Sequence, residues 1–190
     1  MSTISENHTL ENVARLYLLK LQAINQYEYF AKQSKKDGYE QIMAIFTEMH
    51  EQILNHAKTL FRLLEGQSPV VSLEVKSPGI SNTAENLAVS IANEKAMIAL
   101  LKECEALAWT EDQKKVATKL KLFSQISEFY VRRFEKLLKN IEDGTVFKKD
   151  HKVKWYCRKC GLIYESERAL HNCPGCEHPQ GYFEVLAENF

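Results

Sequence analysis

The residues best placed to do chemistry are four cysteines. Cys157 and Cys160, then Cys173 and Cys176, form two C-x-x-C units separated by twelve residues. Two such knuckles gather four thiolates, which suit tetrahedral zinc or iron. The spacing alone leaves both metals open. In a reducing compartment this pattern favours metal ligation over disulfides. Gly161 lets backbone amides approach the sulfurs. Trp155, Tyr156, Tyr164, Tyr182 and Phe183 can supply an apolar shell that tunes a redox potential. His178 reads as a turn or capping residue rather than a fifth ligand.

A second set of polar residues interrupts four long apolar stripes. In order along the chain these are Lys20, His56, Glu94 and Ser127. Lys20 and His56 lie equally far from a turn at Gly38, and Glu94 and Ser127 nearly equally far from one at Thr110. In antiparallel helix pairs equal distance means equal height, so the four are expected to meet. Burying charge costs several kcal/mol unless it is paired. One reading is a buried Lys20–Glu94 ion pair with His56 beside it; the other is a cofactor site. A protonated lysine repels metal ions, which favours the ion pair. A di-iron centre of the bundle type uses Glu-x-x-His on two helices, and no Asp or Glu here has a His three residues later. Tyr27 and Tyr130 face the same core as packing residues with bonded hydroxyls, and Cys104 reads as an inert packing thiol.

The elements that position these groups are four helices. The first starts near Thr9 and stops before Gly38; the second spans about Tyr39 to Glu65 and stops at Gly66. The third starts at Asn82 with Glu85 three residues on, and runs to about Trp109. The fourth is expected to start at Thr110, in a Thr-x-x-Gln box, and to stop at Gly144. Short connections make each successive pair antiparallel. The Pro- and Gly-containing stretch 67–81 can extend about 50 Å, enough to cross a bundle. Two hairpins joined by one long crossover give ferritin-like connectivity. The expected organisation is mainly α: a bundle over residues 1–146, a basic linker over 147–152, and a small metal domain over 153–190.

The 190 residues carry 25 basic and 25 acidic side chains. This balance gives no basic excess for nucleic acid. No signal-peptide pattern opens the chain and no apolar run reaches 18 residues, so the expected location is cytoplasmic, without a membrane.

The chain resembles the rubrerythrin family over nearly its whole length. The likeness is carried by Asn25-Gln26-Tyr27-Glu28-Tyr29-Phe30, Lys35-Lys36-Asp37-Gly38, His56-Ala57-Lys58, Arg132-Arg133-Phe134, and the run from Lys154-Trp155 to Pro179. The resemblance implies a ferritin-like bundle followed by a rubredoxin-like domain with an Fe(Cys)4 electron-transfer centre. It also implies a head-to-tail homodimer. In the family the bundle holds a di-iron site that reduces hydrogen peroxide. Of the positions that would ligate it, His56 and Glu94 remain. The others are Lys20, Ile53, Met97 and Ser127 where the family has glutamates, and Tyr130 where it has its second histidine. The resemblance therefore raises iron above zinc at the cysteines, with one metal per chain and no di-iron centre expected. The leading expectation is an electron carrier, or a partner of an intact rubrerythrin. Retained peroxide reduction would need a mixed oligomer or ligands such as Glu28, Glu51 or Glu128. A zinc-stabilised structural or regulatory module is the third reading.

Overall fold

The computed structural model describes residues 8–75 and 77–189. Helices α1 (His8–Lys36), α2 (Glu40–Leu63), α3 (Thr83–Thr110) and α4 (Lys114–Glu142) precede strands β1 (Lys148–Cys157), β2 (Ile163–Arg168) and β3 (Phe183–Val185). The strands form an antiparallel sheet in the order β2-β1-β3. Among the described residues no helix is long and apolar enough to cross a membrane.

Each helix pair is capped by the other. Asp37, in the α1–α2 turn, accepts hydrogen bonds from the Thr83 amide at 2.8 Å and hydroxyl at 2.6 Å, at the start of α3. Glu111, in the α3–α4 turn, accepts from the Thr9 amide at 2.9 Å, at the start of α1. A carboxylate there satisfies an orphan amide and complements the helix dipole. Because α3 starts at the α1–α2 turn while α2 runs about 36 Å away from it, the chain has to return along the bundle's length between Leu63 and Thr83.

The two caps reveal an internal repeat. Positions 9 and 83, 37 and 111, and 38 and 112 are all offset by 74 residues. Thr-x-Glu-Asn-x-Ala opens both hairpins, at Thr9 and at Thr83. Gly38 at φ 82° and Asp112 at φ 57° make equivalent left-handed turns, each followed by an amide bonded five residues back.

The third helix starts as expected, with the Asn82 side chain accepting from the Glu85 amide at 3.0 Å. The fourth does not. Thr110 is the last residue of α3 and its hydroxyl bonds the Leu107 carbonyl at 2.7 Å; α4 begins at Lys114 without a side-chain cap. The reversal needs Glu111 to Gln113, and Glu111 is spent on Thr9.

The bundle core forms two apolar clusters. One contains Val13, Leu16, Leu60, Leu101, Cys104 and Phe123; the other contains Tyr27, Phe30, Phe46, Ile53, Tyr130 and Phe134. Rings of Phe46, Phe134 and Tyr27 pack at centroid distances of 5.2–5.7 Å, a favourable aromatic spacing. The small domain has its own core of Trp155, Cys157, Ala169, Cys173 and Phe183. It abuts the α1–α2 turn, where Tyr39 stacks on Phe147 at 6.0 Å. A methyl group at Gly181 would collide with the Gly38 carbonyl, so this joint is backbone against backbone.

Candidate functional site

The two knuckles are near-copies. The Cys157 amide donates to the Leu162 carbonyl and the Cys157 carbonyl accepts from the Gly161 amide, both at 2.9 Å; likewise the Cys173 amide donates to the His178 carbonyl at 2.9 Å and its carbonyl accepts from the Glu177 amide at 2.7 Å. This turn needs a left-handed residue. Gly161 supplies it at φ 80°, but Glu177 adopts it at φ 61°, at a steric cost that glycine avoids.

The knuckles bring the four Sγ atoms within 4.8 Å of one another. Cys157 and Cys176 are 3.8 Å apart, and Cys160 and Cys173 are 3.5 Å apart. Four thiolates around one ion at about 2.3 Å stand about 3.8 Å apart, so the geometry fits a metal. It is the one grouping of three or more potential ligand side chains among the described residues. Amides of Cys160 and Lys159 point at the Cys157 sulfur, that of Gly175 at Cys173, and that of His178 at Cys176. Desolvation opposes ionisation of Cys173, yet the Gly175 amide and neighbouring thiols bring it down to about 7. At Cys176 the His178 amide favours the thiolate, but desolvation and the other sulfurs push it up to about 12. Crowded thiols resist full ionisation, and a bound cation reverses that resistance.

Around the cysteines, Trp155 is buried and its indole N–H donates to the Ser166 carbonyl at 3.0 Å. Tyr164 meets Phe183 edge-on at 5.4 Å. His178 lies in the turn, its Nδ1 2.9 Å from the Cys176 carbonyl and its ring against Tyr182.

In the bundle, Lys20 and Glu94 are 1% and 3% exposed, Ser127 is buried, and His56 is half-buried. The field of Glu94 reaches Lys20, and that of Lys20 reaches His56. The expected ion pair is not made directly: no Lys20–Glu94 contact at salt-bridge distance occurs among the described residues. Glu94 Oε1 instead accepts the Tyr27 hydroxyl at 2.7 Å. Glu94 Oε2 and His56 Nδ1 are buried without hydrogen-bond partners. Burial lowers the Lys20 ammonium, partly countered by Glu94. Burial, then Lys20, brings His56 down to about 4. Burial and then Glu94 hold the Tyr27 phenol well above its usual range.

Tyr130 stacks on His56 at 6.4 Å and donates to Gln52 at 2.8 Å. Ile53 is buried in the cluster with Tyr27, and Met97 packs against the other cluster. Glu28, Glu51 and Glu128 are turned away, facing Lys32 at 2.6 Å, His50 at 3.9 Å and Lys102 at 3.0 Å in solvated pairs. Cys104 is buried, its thiol pushed up to about 11 by desolvation. Sequence reasoning missed Tyr27 as the partner of Glu94 and Gln52 as that of Tyr130. Tyr27 sits two turns after Lys20 on the same stripe, which was the available signal.

Profiles of known families match both parts of the chain: "Rubrerythrin" over residues 17–84 and "Rubrerythrin, rubredoxin-like domain" over residues 155–184. Rubrerythrin of Nitratidesulfovibrio vulgaris is 34% identical, with both chains covered in full. Rubrerythrin of Porphyromonas gingivalis is 34% identical over 99% of this chain and 94% of the relative. Among solved structures, fully reduced, all-ferrous nigerythrin superposes with a TM-score of 0.65 at 22% identity, covering 98% of this chain and 89% of its own. Mycobacterium tuberculosis bacterioferritin gives a TM-score of 0.65 at 19% identity, over 74% of this chain and 90% of its own, a likeness of fold. With identity above 30% sustained from end to end, and both domains matched in order, the chain belongs to the rubrerythrin family.

Proposed function

We propose that this chain is a one-electron carrier whose working metal is a single iron at Cys157, Cys160, Cys173 and Cys176, and that its bundle holds no di-iron centre. The observation that carries the reading is the contrast between the two sites. The four sulfurs already have the separations of a tetrahedral ligand set. Iron in such a site supplies a one-electron couple. The chain's own part is to direct amides at the sulfurs and pack Trp155 and Phe183 behind them, which sets the potential and limits water.

The bundle centre offers one carboxylate, one imidazole and an ammonium. Such a set does not fit two hard cations, since Lys20 repels them and the neighbouring positions are Ile53, Met97, Ser127 and Tyr130. Glu28, Glu51 and Glu128, engaged at the surface, do not compensate.

The same reading takes the chain to act as a homodimer. The outer face of α1 and α2 bears a groove of about 440 Å³ lined by Tyr17, Leu21, Leu54, Asn55, Ala57, Lys58 and Phe61. The internal repeat provides a reference. Leu21, Leu54 and Phe61 correspond to Lys95, Glu128 and Glu135, which form solvated ion pairs Lys95–Glu135 at 2.7 Å and Lys102–Glu128 at 3.0 Å. An apolar face whose twin is charged favours a covering partner.

Metal analysis with a visible spectrum tests the main reading. About one iron per chain with thiolate-to-iron absorption is expected. About three irons per chain overturns the loss of the di-iron centre, and a colourless zinc protein from iron-replete cells overturns electron transfer.

A further inference from the structure

We propose that Cys160 and Cys173 form a peroxide-sensitive disulfide switch: a hydroperoxide oxidises the Cys160 sulfur, Cys173 closes a disulfide with it, and the site gives up its metal. The inference holds for iron and zinc alike, so it does not depend on the electron-carrier reading. The four sulfurs are not equally sheltered. Cys157 and Cys173 are 0% and 1% exposed within the small domain's apolar core, and Cys176 is half-buried, whereas Cys160 is exposed. The sulfurs also stand in facing pairs that join one knuckle to the other, Cys160 with Cys173 at 3.5 Å and Cys157 with Cys176 at 3.8 Å. The exposed sulfur thus has a buried one as its neighbour.

Gly175 marks the opening over that pair. It is exposed, and a Cβ built on it would stand 3.4 Å from Cys160 Sγ and 3.8 Å from Cys173 Sγ. A side chain there would lie against both sulfurs. The φ of Gly175 lies outside the left-handed region, so the backbone does not call for glycine; what glycine supplies is access. Thiolate character and access select the sulfur that an oxidant reaches first, and metal ligation keeps the sulfurs as thiolates. The Cys160 thiolate attacks one oxygen of hydrogen peroxide; the S–O bond forms, the O–O bond breaks and hydroxide leaves, giving a sulfenic acid. The Cys173 thiolate then attacks that sulfur; the S–S bond forms, the S–O bond breaks and a second hydroxide leaves. The two sulfurs together give up two electrons, and the peroxide takes them. Closure brings the pair from 3.5 Å to about 2.0 Å. Cys157 and Cys176 then remain as the thiolates, too few for a tetrahedral sulfur site.

The test uses the full chain loaded with zinc, which has no redox chemistry, so that every electron must come from sulfur. The protein is treated with hydrogen peroxide while a colorimetric indicator follows zinc release. Alkylation, trypsin and mass spectrometry map the sulfurs, with Arg158, Lys159 and Arg168 placing cleavage sites between Cys157, Cys160 and Cys173. The expected result is a dimedone-trapped sulfenic acid at Cys160, then a Cys160–Cys173 disulfide formed in step with zinc release, with buried Cys104 untouched. Dithiothreitol should restore zinc binding. Gly175→Ala and Gly175→Val, which cover the pair, should slow release several-fold. First oxidation at another cysteine, a Cys157–Cys160 disulfide instead, or zinc loss without a disulfide overturns the proposal. So does release at the parental rate from a Gly175→Ala chain that binds zinc in full.

Discussion

Replacing Lys20 with methionine keeps an unbranched chain in the same slot and deletes only the ammonium. What remains is Glu94, 3% exposed, with Oε1 held by Tyr27 and Oε2 without a protein partner. Removing one member of a buried ion pair in contact costs about 3–5 kcal/mol, an upper range here because Lys20 and Glu94 act on one another without touching. There is a ceiling, because the stranded carboxylate can take a proton. For an ordinary glutamate at about pH 7 that costs about 3.7 kcal/mol, from about 2.7 pH units at 1.36 kcal/mol each. Relief of the lysine's own desolvation returns part of this. A loss of about 3 kcal/mol is therefore expected, a large share of a typical 5–15 kcal/mol. The sign of the pH dependence follows. In the variant the folded state holds a proton that the unfolded chain releases near neutrality, so the deficit grows as pH rises and shrinks as pH falls toward the ordinary carboxylate range. Urea unfolding followed by far-ultraviolet circular dichroism at about pH 5 and 7 measures both effects. Lys20→Met/Glu94→Leu should recover most of the loss, since no charge is left unpaired. A single variant as stable as its parent, or a double variant no better than the single, would refute the reasoning.

Three further outcomes are expected. Burial and then Lys20 bring His56 down to about 4 from 6.5, so the unfolded chain binds the proton more readily; stability is complete above about pH 6.5 and falls by about 2 kcal/mol toward pH 4, after allowance for the ring's partial exposure. In His56→Phe that component of the urea-unfolding pH profile disappears. Glu177→Gly relieves a left-handed glutamate and should raise the stability of the metal-loaded chain by about 0.5 kcal/mol, read as a higher melting temperature. Phe61→Glu should convert a dimer to monomer in sedimentation, whereas Phe129→Glu on the ion-paired twin face should leave assembly unchanged.

Helix limits and the cysteine cluster were legible because they depend on local signals. Asn82 with Glu85, and the left-handed glycines at 38, 66 and 144, mark ends through backbone chemistry that acts over a few residues. Paired C-x-x-C units encode their own proximity. Distance from a turn fixes height along a helix, so the sequence sets Lys20, His56 and Glu94 at similar heights, but it does not give their contacts. Whether Glu94 meets Lys20 or Tyr27 depends on rotamers and on a 2.7 Å hydrogen bond between helices 67 residues apart in sequence. The false start at Thr110 has a similar cause, because the use of Glu111 as a cap for α1 is invisible within its own turn.

The 74-residue offset has a consequence for assembly. Lys20 and Glu94 occupy equivalent positions in the two hairpins, as do His56 and Tyr130, and Ile53 and Ser127. Two copies of the first hairpin packed together would confront lysine with lysine, and two copies of the second glutamate with glutamate. Only the mixed pairing neutralises the middle of the bundle. The opposite charges thus discriminate against like-with-like association of hairpins, a safeguard that a symmetric, wholly apolar core would lack.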